Sequence, residues 1–405
     1  MSSLEQSVHD LMQRNLKDGP NGTYTVPSLQ SYPYQWFWDS CFAAIIWSKF
    51  DPKRAQAELR TLMSAQYDNG FCGHIVYWEK GPIIDIDWGY ETTSSLLQPP
   101  LIAYAAWRAY EADGNRAFLE ELLPALERYY HYVLTTRNVR VPHIYGYINS
   151  DESGEDNSPR FDEAMQLPPQ HGVETHLEKR IALFAEHSKC HFAATCTADH
   201  FWVEDVGLNT YLVWNLEYLA KICDVLDLST AATSWRSHSK AIAEAMRSHM
   251  FIDDRFLSLT GKDATPVTVP TWIDFLPLLT RQYTSTEADH LVGELLDTEH
   301  YWLPYGIPTV SKQAAAYDPH EPTWGEAWQH PHWRGPSWQC VHWFLHQGLT
   351  NYGYHTEATL LRHKAEALIA AEGFREYYHP ETGKGLGAHN FTWGGLVLDM
   401  EYEKT

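Results

Sequence analysis

The sequence predicts an all-α fold, an (α/α)6 barrel (toroid) of about twelve helices. Apolar residues recur at helical spacing along most of the 405 residues, the alternation typical of β-strands is rare, and long aromatic loops follow alternate helices. A helical repeat solenoid is the main alternative, but it would show a fixed period of about 30–50 residues, and no sequence repeat is found. We therefore expect one domain over residues 1–405.

The helices of the first half are predicted from apolar residues three and four positions apart and from their start signals. Asp39 and Asp51 are expected to be N-caps, Pro99 and Pro100 lie in an opening turn, and Pro124 kinks or restarts a helix. The predicted ranges are about 3–17, about 40–48, from 52 through Met63, about 96–112 and about 115–136.

The second half continues the pairs after a predicted lid insertion at 163–203, which contains a His-rich segment. Its long loop at 299–336 has little regular pattern, which in a compact domain usually indicates function. In a toroid, the loops that start near 30, 70, 150, 320 and 375 converge on one rim. The predicted helices are about 208–227, 232–250, 271–280, 285–297, 337–348, 355–372 and 393–403, with the pair at 271–297 the weakest.

Composition limits the class of ligand and the compartment. The net charge of −22 opposes binding to nucleic acid or to an anionic membrane surface. The N-terminus lacks the basic and apolar regions of a cleaved signal, and no long apolar run is present. The six cysteines show no CxxC pair, so we expect reduced thiols and a cytoplasmic protein.

Aromatic residues are more frequent than a core of this size requires, with 17 Trp and 24 Tyr. Loop aromatics can stack on the apolar faces of sugar rings while neighbouring polar side chains bind the hydroxyls. The pattern favours a carbohydrate ligand. The loop aromatics are Tyr32, Tyr34, Trp36, Phe37, Trp38, Trp78, Trp88, Tyr145, Tyr147, Trp324, Trp328, Trp333 and Trp338.

An acidic loop at 150–162 holds five carboxylates among Ser, Gly, Asn and Pro residues, which predicts a solvated loop. Asp156 differs from the other four because Asn-Ser-Pro-Arg follows it. Pro159 restricts the backbone and Arg160 places a cation nearby, an arrangement suited to holding one carboxyl in place. Asp156 is therefore a candidate acid, while the other four are interpreted as surface or supporting charges: Asp151, Glu152, Glu155 and Asp162.

Hydrolysis of a glycosidic bond requires a second carboxyl group. Glu376 is the best candidate because Arg375 and aromatic residues flank it in a predicted loop. Glu381 is the rival, although its Pro-Glu-Thr-Gly setting is typical of a surface turn.

Seven motifs in one order resemble glycoside hydrolase family 63 and its trehalase-related clan. In length the chain is similar to the compact members, the mannosylglycerate and glucosylglycerate hydrolases. The motifs are Tyr34-x-Trp-Phe-Trp-Asp-Ser40, Asp68-x-Gly-Phe-x-Gly-His74, Thr93-x-x-x-x-Gln-Pro-Pro100, Gly154-x-Asp-Asn-Ser-Pro-Arg160, Trp333-Arg-Gly-Pro-Ser-Trp338, Glu376-Tyr-Tyr-x-Pro-x-Thr-Gly383 and Asn390-Phe-Thr-Trp393.

The resemblance implies an inverting α-glycosidase with Asp156 as general acid and Glu376 as general base. Inversion needs a water molecule between base and sugar, which sets the two carboxyls about 6.5–9.5 Å apart. Arg334 and Arg160 are alternatively clamps on loop acids, and the tryptophans alternatively pack in the core. The candidate substrate-binding residues are Trp38, Asp39, His74, Gln98, Gly154, Trp333, Arg334 and Trp338.

The substrate stays open because segment 163–203 matches no version of the family. A glycerate carboxylate would need a cation, and Lys179 and Arg180 are available there, yet they equally suit a solvated helix face. Glucosylglycerate, mannosylglycerate and an ordinary disaccharide are the candidates. Two other functions are weighed: a sugar epimerase or isomerase that uses some of the 22 His, and a sugar-binding protein without catalysis.

A metal site is not predicted, and no cofactor is expected. Two His pairs have the i, i+4 spacing of helical zinc ligands, but neither has Glu after its first His. No third candidate ligand follows at a sequence spacing typical of zinc sites. The pairs are His187 with His191, and His342 with His346. Phosphate-binding Gly-rich loops and nucleophile motifs are also missing from the sequence.

Overall fold

Helices form most of the structure, a computed structural model that describes residues 2–79, 81, 86–168, 171–320 and 333–401. The predicted all-α class is confirmed. None of the described helices is both long and apolar enough to cross a membrane. The α-helices, numbered along the chain, are α1 (Ser3–Arg14), α2 (Phe37–Trp47), α3 (Pro52–Met63), α4 (Ile102–Glu111), α5 (Arg116–Thr136), α6 (Val173–Lys189), α7 (Ala194–Thr197), α8 (Val206–Val225), α9 (Ser229–His249), α10 (Ser285–Leu295), α11 (Gln339–Asn351) and α12 (His355–Glu372).

Six inner elements form a closed ring within the described part of the chain. Helices α2, α4 and α8, the 3₁₀ helix Trp272–Thr280, α11 and the 3₁₀ helix Thr392–Asp399 each pack against the next, and the last packs against α2. The outer helices α3, α5, α9, α10, α12 and α1 pack in that order on these six. This is the predicted (α/α)6 arrangement. Every residue of α2 is buried, as expected for an inner helix that is apolar on all sides.

Two inner elements are 3₁₀ helices rather than the predicted α-helices. Pro277 lies inside Trp272–Thr280 and cannot donate the backbone hydrogen bond of a regular α-helix. Thr392–Asp399 contains Gly394 and Gly395, where backbone passes close to Phe374, Ile46 and Val8. Proline and glycine residues therefore weaken the helical geometry of these two segments, and burial in the ring stabilises them.

The start of the chain differs from its prediction at two places. Helix α1 ends at Arg14, and a hairpin follows in which Gly19 pairs with Gly22, so the Gly-Pro-Asn-Gly cluster is a hairpin turn. Asp39 is not an N-cap, because α2 begins two residues earlier and places Asp39 in its first turn. Asp51 does cap α3, where it accepts a hydrogen bond from the Arg54 N–H.

Short antiparallel strands tie the long loops to one another. Strand β3 pairs with β4 and joins the loop before α2 to the loop before α4, while β5 pairs with β6 and joins the start of the acidic loop to the segment before α8. Strand β11 pairs with β12 in a hairpin after α12, and Ser337 bridges to this hairpin at Tyr378. The strands are β1 (Leu16–Gly19), β2 (Gly22–Thr25), β3 (Gln35–Trp36), β4 (Ile75–Val76), β5 (Gly146–Tyr147), β6 (Val203–Glu204), β7 (Phe251–Ile252), β8 (Arg255–Phe256), β9 (Leu259–Thr260), β10 (Thr265–Pro266), β11 (Arg375–Tyr378) and β12 (Gly385–His389).

A disulfide joins Cys190, at the end of α6, to Cys196 in α7, so the prediction of six reduced thiols is wrong for this pair. Left-handed backbone at His191 and Phe192 turns the chain back and brings the two Cα atoms to 5.6 Å, within the range that a disulfide spans. The remaining cysteines are free and buried. Disulfides persist mainly in oxidising compartments, so the compartment stays a prediction.

Candidate active site

The acidic loop is largely buried, which corrects the prediction of a solvated loop. It runs through two 3₁₀ helices, Ser150–Ser153 and Pro159–Phe161, and Asp156 lies between them. Asp156 keeps 17% of its side chain exposed, whereas Glu152 and Asp151 are 0% and 3% exposed. The loop therefore presents one acid and encloses most of the others.

Each of the four other acids pairs with an arginine, because a buried carboxylate needs a compensating charge. The predicted supporting role of these acids thus has a structural basis, although their predicted surface position is wrong for the three buried ones. The pairs are Asp151 with Arg180, Glu152 with Arg137 at 2.6 Å, Glu155 with Arg160 at 2.6 Å, and Asp162 with Arg334 at 2.8 Å.

Gly154 turns the loop immediately before Asp156. Its φ of 71° is left-handed, and a Cβ there would stand 2.4 Å from the indole ring of Trp38. Only glycine meets both requirements without strain. Gly154 therefore acts in the structure through the backbone turn and through its contact with Trp38.

The surroundings of Asp156 favour a protonated carboxyl. Burial, followed by the negative charge of Asp151, raises the pKa of Asp156 to about 7, against the opposing effect of the Arg180 cation. An Arg180 Nη2–H donates to Asp156 Oδ2 at 3.3 Å. Arg180 thus faces the acidic loop, and the interpretation of its position as a solvated helix face is wrong.

Glu376 lies on strand β11 rather than in the predicted loop, and it is 2% exposed. The β11–β12 register shifts here, so that Gly387 and Ala388 stand opposite this one residue in a bulge. The Ala388 N–H donates to Glu376 Oε2 at 2.7 Å. Gly387 has a left-handed φ of 64°, and a Cβ there would stand 2.6 Å from the same oxygen.

Tyr32 binds Glu376 and lies within the field of Asp156, and it was not among the predicted site residues. Its hydroxyl donates to Glu376 Oε1 at 2.7 Å. Burial raises the pKa of Tyr32 well above its usual range, and the charges of Glu376 and Asp156 raise it further. The charges of Asp156 and Glu376 therefore both act on the Tyr32 hydroxyl. The signal was present in the aromatic loop at 32–38, which indicated a sugar ligand without indicating a role for this tyrosine.

Glu381, the rival of Glu376, lies in the turn of the same hairpin and is 32% exposed. Its carboxylate contacts Lys312 Nζ at 2.6 Å and accepts a hydrogen bond from the Tyr317 hydroxyl at 2.9 Å. The hydrogen bond from Lys312 lowers the pKa of Glu381. These contacts are those of a surface ion pair, and the choice of Glu376 over Glu381 stays a prediction.

Three polar candidates lie near the start of α2: Asp39 in its first turn, and His74 and Gln98 on the loop before α4, whose backbone carbonyl and side chain accept the Phe37 and Trp38 N–H groups. Burial raises the pKa of Asp39 to about 7, and the charge of Glu376 adds to it, while the Trp393 indole N–H donates to Asp39 Oδ1 at 2.6 Å. Burial lowers the pKa of His74 to about 3, helped by the charge of Arg180, so the imidazole is neutral. Gln98 Oε1 accepts the Trp38 backbone N–H at 3.0 Å.

The tryptophan candidates form one buried aromatic cluster. Trp333 and Trp338 stack at 4.0 Å with nearly parallel rings, and Trp38 stands 6.4 Å from Trp333 and 4.9 Å from Trp393. Their exposed fractions are 2% or less for Trp38, Trp333 and Trp338. These tryptophans pack in the core, with Trp38 next to Gly154 of the acidic loop and Trp338 4.9 Å from Tyr377 of β11, so the cluster borders both segments that carry the acids.

Arg334 and Arg160 are clamps on loop acids in the structure. Arg334 donates to both oxygens of Asp162 and to the Asn157 carbonyl, at 2.8–3.2 Å. Arg160 contacts Glu155 at 2.6 Å and Asp205 at 3.0 Å. Of the predicted loop aromatics, Trp324 and Trp328 lie outside the described residues.

Three of the four histidines in the i, i+4 pairs are buried structural groups, whereas His191 is exposed in the turn after α6 and does not share a helix with His187. His342 Nε2 accepts the Ile307 N–H at 3.0 Å, and burial lowers the pKa of His342 to about 3 and that of His346 to about 4. Burial likewise lowers the pKa of His187 to about 3. Neutral, buried imidazoles of this kind do not favour histidine acid–base chemistry. In the part of the chain that the structure describes, no three His, Cys, Asp or Glu side chains are placed to hold a metal ion.

Comparison with known proteins gives the same family along nearly the whole chain. The model of the mannosylglycerate hydrolase MGH1-like glycoside hydrolase domain matches residues 32–394. A mannosylglycerate hydrolase of Thermus thermophilus is 28% identical over 96% of this chain and 98% of that protein. A glucosylglycerate hydrolase of Mycolicibacterium hassiacum is 26% identical over 95% of each.

Solved structures agree in fold. A GH63 mannosylglycerate hydrolase from Thermus thermophilus, in complex with Tris and D-glycerate, superposes with a TM-score of 0.84 at 27% identity, over 98% of this chain and 99% of that one. The neutral trehalase Nth1 from Saccharomyces cerevisiae superposes with a TM-score of 0.62 at 15% identity, over 97% of this chain and 79% of that one. The second likeness concerns the fold alone.

Proposed function

We propose a substrate and a mechanism for this chain, which belongs to the mannosylglycerate hydrolase MGH1-like glycoside hydrolase family. The chain is a glycoside hydrolase, and the prediction of an inverting α-glycosidase is confirmed at the level of the family. The residues that carry the reaction and the substrate that they take are the subject of the proposal. One observation carries it: Tyr32 donates to Glu376 and lies within the field of Asp156.

The proposed substrate is a small α-linked hexosyl glycerate, glucosylglycerate or mannosylglycerate. Relatives that match the chain from end to end are named for these two compounds. A glycerate carboxylate needs a cation next to the scissile bond, and Arg180 of α6 places its guanidinium against Asp156. The segment 163–203 would then be the lid over the glycerate, because α6 lies within it.

Asp156 is the proposed general acid. Because its pKa is raised to about 7, a large fraction of the carboxyl is protonated at neutral pH and can give its proton to the departing glycosidic oxygen. The leaving group departs as neutral glycerate hydroxyl rather than as an alkoxide. Positive charge then develops on the sugar ring.

Glu376 is the proposed general base. It accepts hydrogen bonds from the Tyr32 hydroxyl and the Ala388 N–H, and donors of this kind favour the carboxylate over the acid. Glu376 would remove a proton from a water molecule as that water attacks the anomeric carbon on the face opposite the leaving group. The product is then the β-anomer of the free sugar, and the two carboxyls should stand about 6.5–9.5 Å apart in the complex.

The remaining candidates are assigned to the sugar that is cleaved. The charge of Glu376 acts on Asp39, and the charge of Arg180 acts on His74. Because Glu376 and Arg180 belong to the proposed site, these interactions support placing Asp39 and His74 beside the sugar ring that reacts. Gln98 holds the start of α2, where Trp38 and Asp39 lie. We assign to this sugar site the residues Trp38, Asp39, His74, Gln98, Trp333 and Trp338.

Product analysis by NMR tests the proposal. Glucosylglycerate and mannosylglycerate are mixed with the protein, alongside α-linked disaccharides, and the first spectra are read for the anomer that forms. We expect β-hexose and glycerate from at least one of the two glycerates. A first-formed α-anomer would exclude inversion, and cleavage of disaccharides alone would overturn the substrate assignment.

Substitution of the two acids tests the residues. Asp156→Asn and Glu376→Gln should each lower kcat on the glycerate by about 10²–10⁴-fold, the usual contribution of a general acid or base. Glu381→Gln is the matched control, since it removes a carboxyl from the same hairpin at a surface ion pair, and it should keep full activity. A loss confined to Glu381→Gln would reverse the choice between the two glutamates.

A further inference from the structure

One arginine is shared unequally between two carboxylates of the acidic loop. The Arg180 Nε–H reaches both oxygens of Asp151 at 2.9 Å, and an Nη2–H donates to Asp151 Oδ2 as well. The contact with Asp156 is one longer hydrogen bond, from Nη2 to Oδ2 at 3.3 Å. Asp151 thus binds the edge of the guanidinium formed by Nε and Nη2, while Asp156 accepts a weaker hydrogen bond from Nη2.

Both members of the stronger pair are fixed in place. The side chain of Asp151 is 3% exposed, and its backbone N–H donates to Asn149 Oδ1 at 3.0 Å at the start of the 3₁₀ helix Ser150–Ser153. The guanidinium of Arg180 stands 5.7 Å from the ring of Phe184, which packs against Trp88. The unequal sharing is therefore built into the packing of α6 against the loop.

Charge balance explains why the sharing matters. Two carboxylates beside one guanidinium leave one negative charge uncompensated in a largely buried site, and a bound proton removes it. The proton goes to the carboxyl that gains least from the cation. Asp156 is that carboxyl, because Arg180 makes shorter and more numerous hydrogen bonds to Asp151 than to Asp156.

We propose that Asp151 is a positioning residue that holds Arg180 away from Asp156 and thereby keeps the proton on Asp156. The inference rests on the proposed function, in which Asp156 is the general acid. The charge of Asp151 is also the second cause, after burial, of the raised pKa of Asp156. Among the described residues, the charged and titratable groups that interact with Asp156 are Asp151 and Glu155 on its own loop, Arg180 and His176 on α6, and Tyr32 before β3.

The test compares pH profiles of kcat/KM for the wild-type protein and Asp151→Asn on glucosylglycerate and mannosylglycerate. A general acid must be protonated, so the wild-type rate should fall as the pH rises through about 7. Asp151→Asn removes a negative charge and frees Arg180 to pair with Asp156, and both changes lower the pKa of Asp156. The alkaline limb should therefore move to lower pH by about one unit or more.

Arg180→Met provides a second, opposite test. Without the cation, Asp156 keeps its proton more strongly, and the alkaline limb should move to higher pH. Because Arg180 is also the proposed cation for the glycerate carboxylate, the readout is the position of the limb rather than the size of kcat/KM. An unmoved limb would show that the guanidinium does not act on Asp156 and would overturn the inference. Asp224→Asn is the control for the loss of one negative charge, since Asp224 pairs with Arg236 on the surface and both are more than 40% exposed. The alkaline limb of the Asp224→Asn profile should coincide with that of the wild-type protein.

The outcomes separate this inference from the proposed function. A uniform fall in kcat/KM for Asp151→Asn, with its limb unmoved, would show a merely structural Asp151 and overturn the inference alone. Full activity of Asp156→Asn on the same two glycerates would instead overturn the assignment of the acid. An α-glycosyl fluoride needs no protonated leaving group, so on this probe neither protein should show the alkaline limb at about pH 7. A limb on the fluoride that moves in Asp151→Asn would contradict the inference.

Discussion

The two candidate acids stand in opposite surroundings. Asp156 lies in a loop held by ion pairs, between the carboxylate of Asp151 and the guanidinium of Arg180. Glu376 lies on a strand and accepts hydrogen bonds from a neutral hydroxyl and a backbone N–H. A neighbouring carboxylate favours a bound proton, whereas neutral donors favour the carboxylate. Two identical functional groups thereby acquire the roles of acid and base from their neighbours.

The largest expected effect distinguishes the two roles directly. An α-glycosyl fluoride has a leaving group that departs without a proton, so Asp156→Asn should hydrolyse it at a rate close to that of the wild-type protein. Glu376→Gln should lose about 10²–10⁴-fold on the fluoride as on the glycerate, because attack by water still needs a base. Fluoride release measured with an ion-selective electrode gives both rates. Loss of fluoride hydrolysis in Asp156→Asn but not in Glu376→Gln would exchange the two assignments.

A smaller effect is expected from the donor to the base. Tyr32→Phe removes the 2.7 Å hydrogen bond to Glu376 and keeps the ring. A hydrogen bond to a charged group contributes about 1.5–3 kcal/mol, so kcat should fall by about 10–100-fold. Steady-state kinetics on the glycerate measure the fall.

Tyr34→Phe is the matched control for Tyr32→Phe. Its hydroxyl makes a 3.4 Å contact with the Gly81 carbonyl and does not touch either acid. It should leave kcat within about 2-fold of wild type, in line with a weak exposed hydrogen bond. Equal losses in the two variants would mean that the aromatic loop, rather than the bond to Glu376, sets the rate.

The smallest expected effects come from the glycines that shape each side of the site. Gly154→Ala would place a Cβ 2.4 Å from Trp38, and Gly387→Ala would place one 2.6 Å from the Glu376 carboxylate, both at left-handed φ. Each should reduce the free energy of unfolding by about 1–3 kcal/mol. Gly387→Ala should also lower kcat, because the base itself must move. Urea unfolding and kinetics measure the two effects.

Gly114→Ala separates backbone strain from steric contact. Gly114 has a similar φ of 70°, but a Cβ there meets nothing within 4 Å. Gly114→Ala should lower the free energy of unfolding only by the cost of left-handed backbone, about 1–2 kcal/mol, and should keep its kcat. If all three variants behave alike, the close contacts at Trp38 and Glu376 have no separate importance.

Much of the fold could be predicted because its signals are local. Asp51 and Pro52 predicted the start of α3, and the spacing of apolar residues predicted α5 almost to the residue. The inner elements at Trp272–Thr280 and Thr392–Asp399 were harder, since Pro277 and the glycine pair at 394–395 weaken helical geometry that only the ring supports. The Cys190–Cys196 disulfide was missed because it depends on a left-handed turn.

The sequence by itself determined the helical class, the family motifs and the two candidate acids, because residue type and spacing along one chain are sufficient for these. Tertiary structure decided their surroundings. Arg180 lies 29 positions from Asp151, and Tyr32 lies 344 positions from Glu376, so no local pattern connects either pair. Charge pairing and burial act through space, and they turn an acidic loop whose composition suits water into a buried network around one protonated carboxyl.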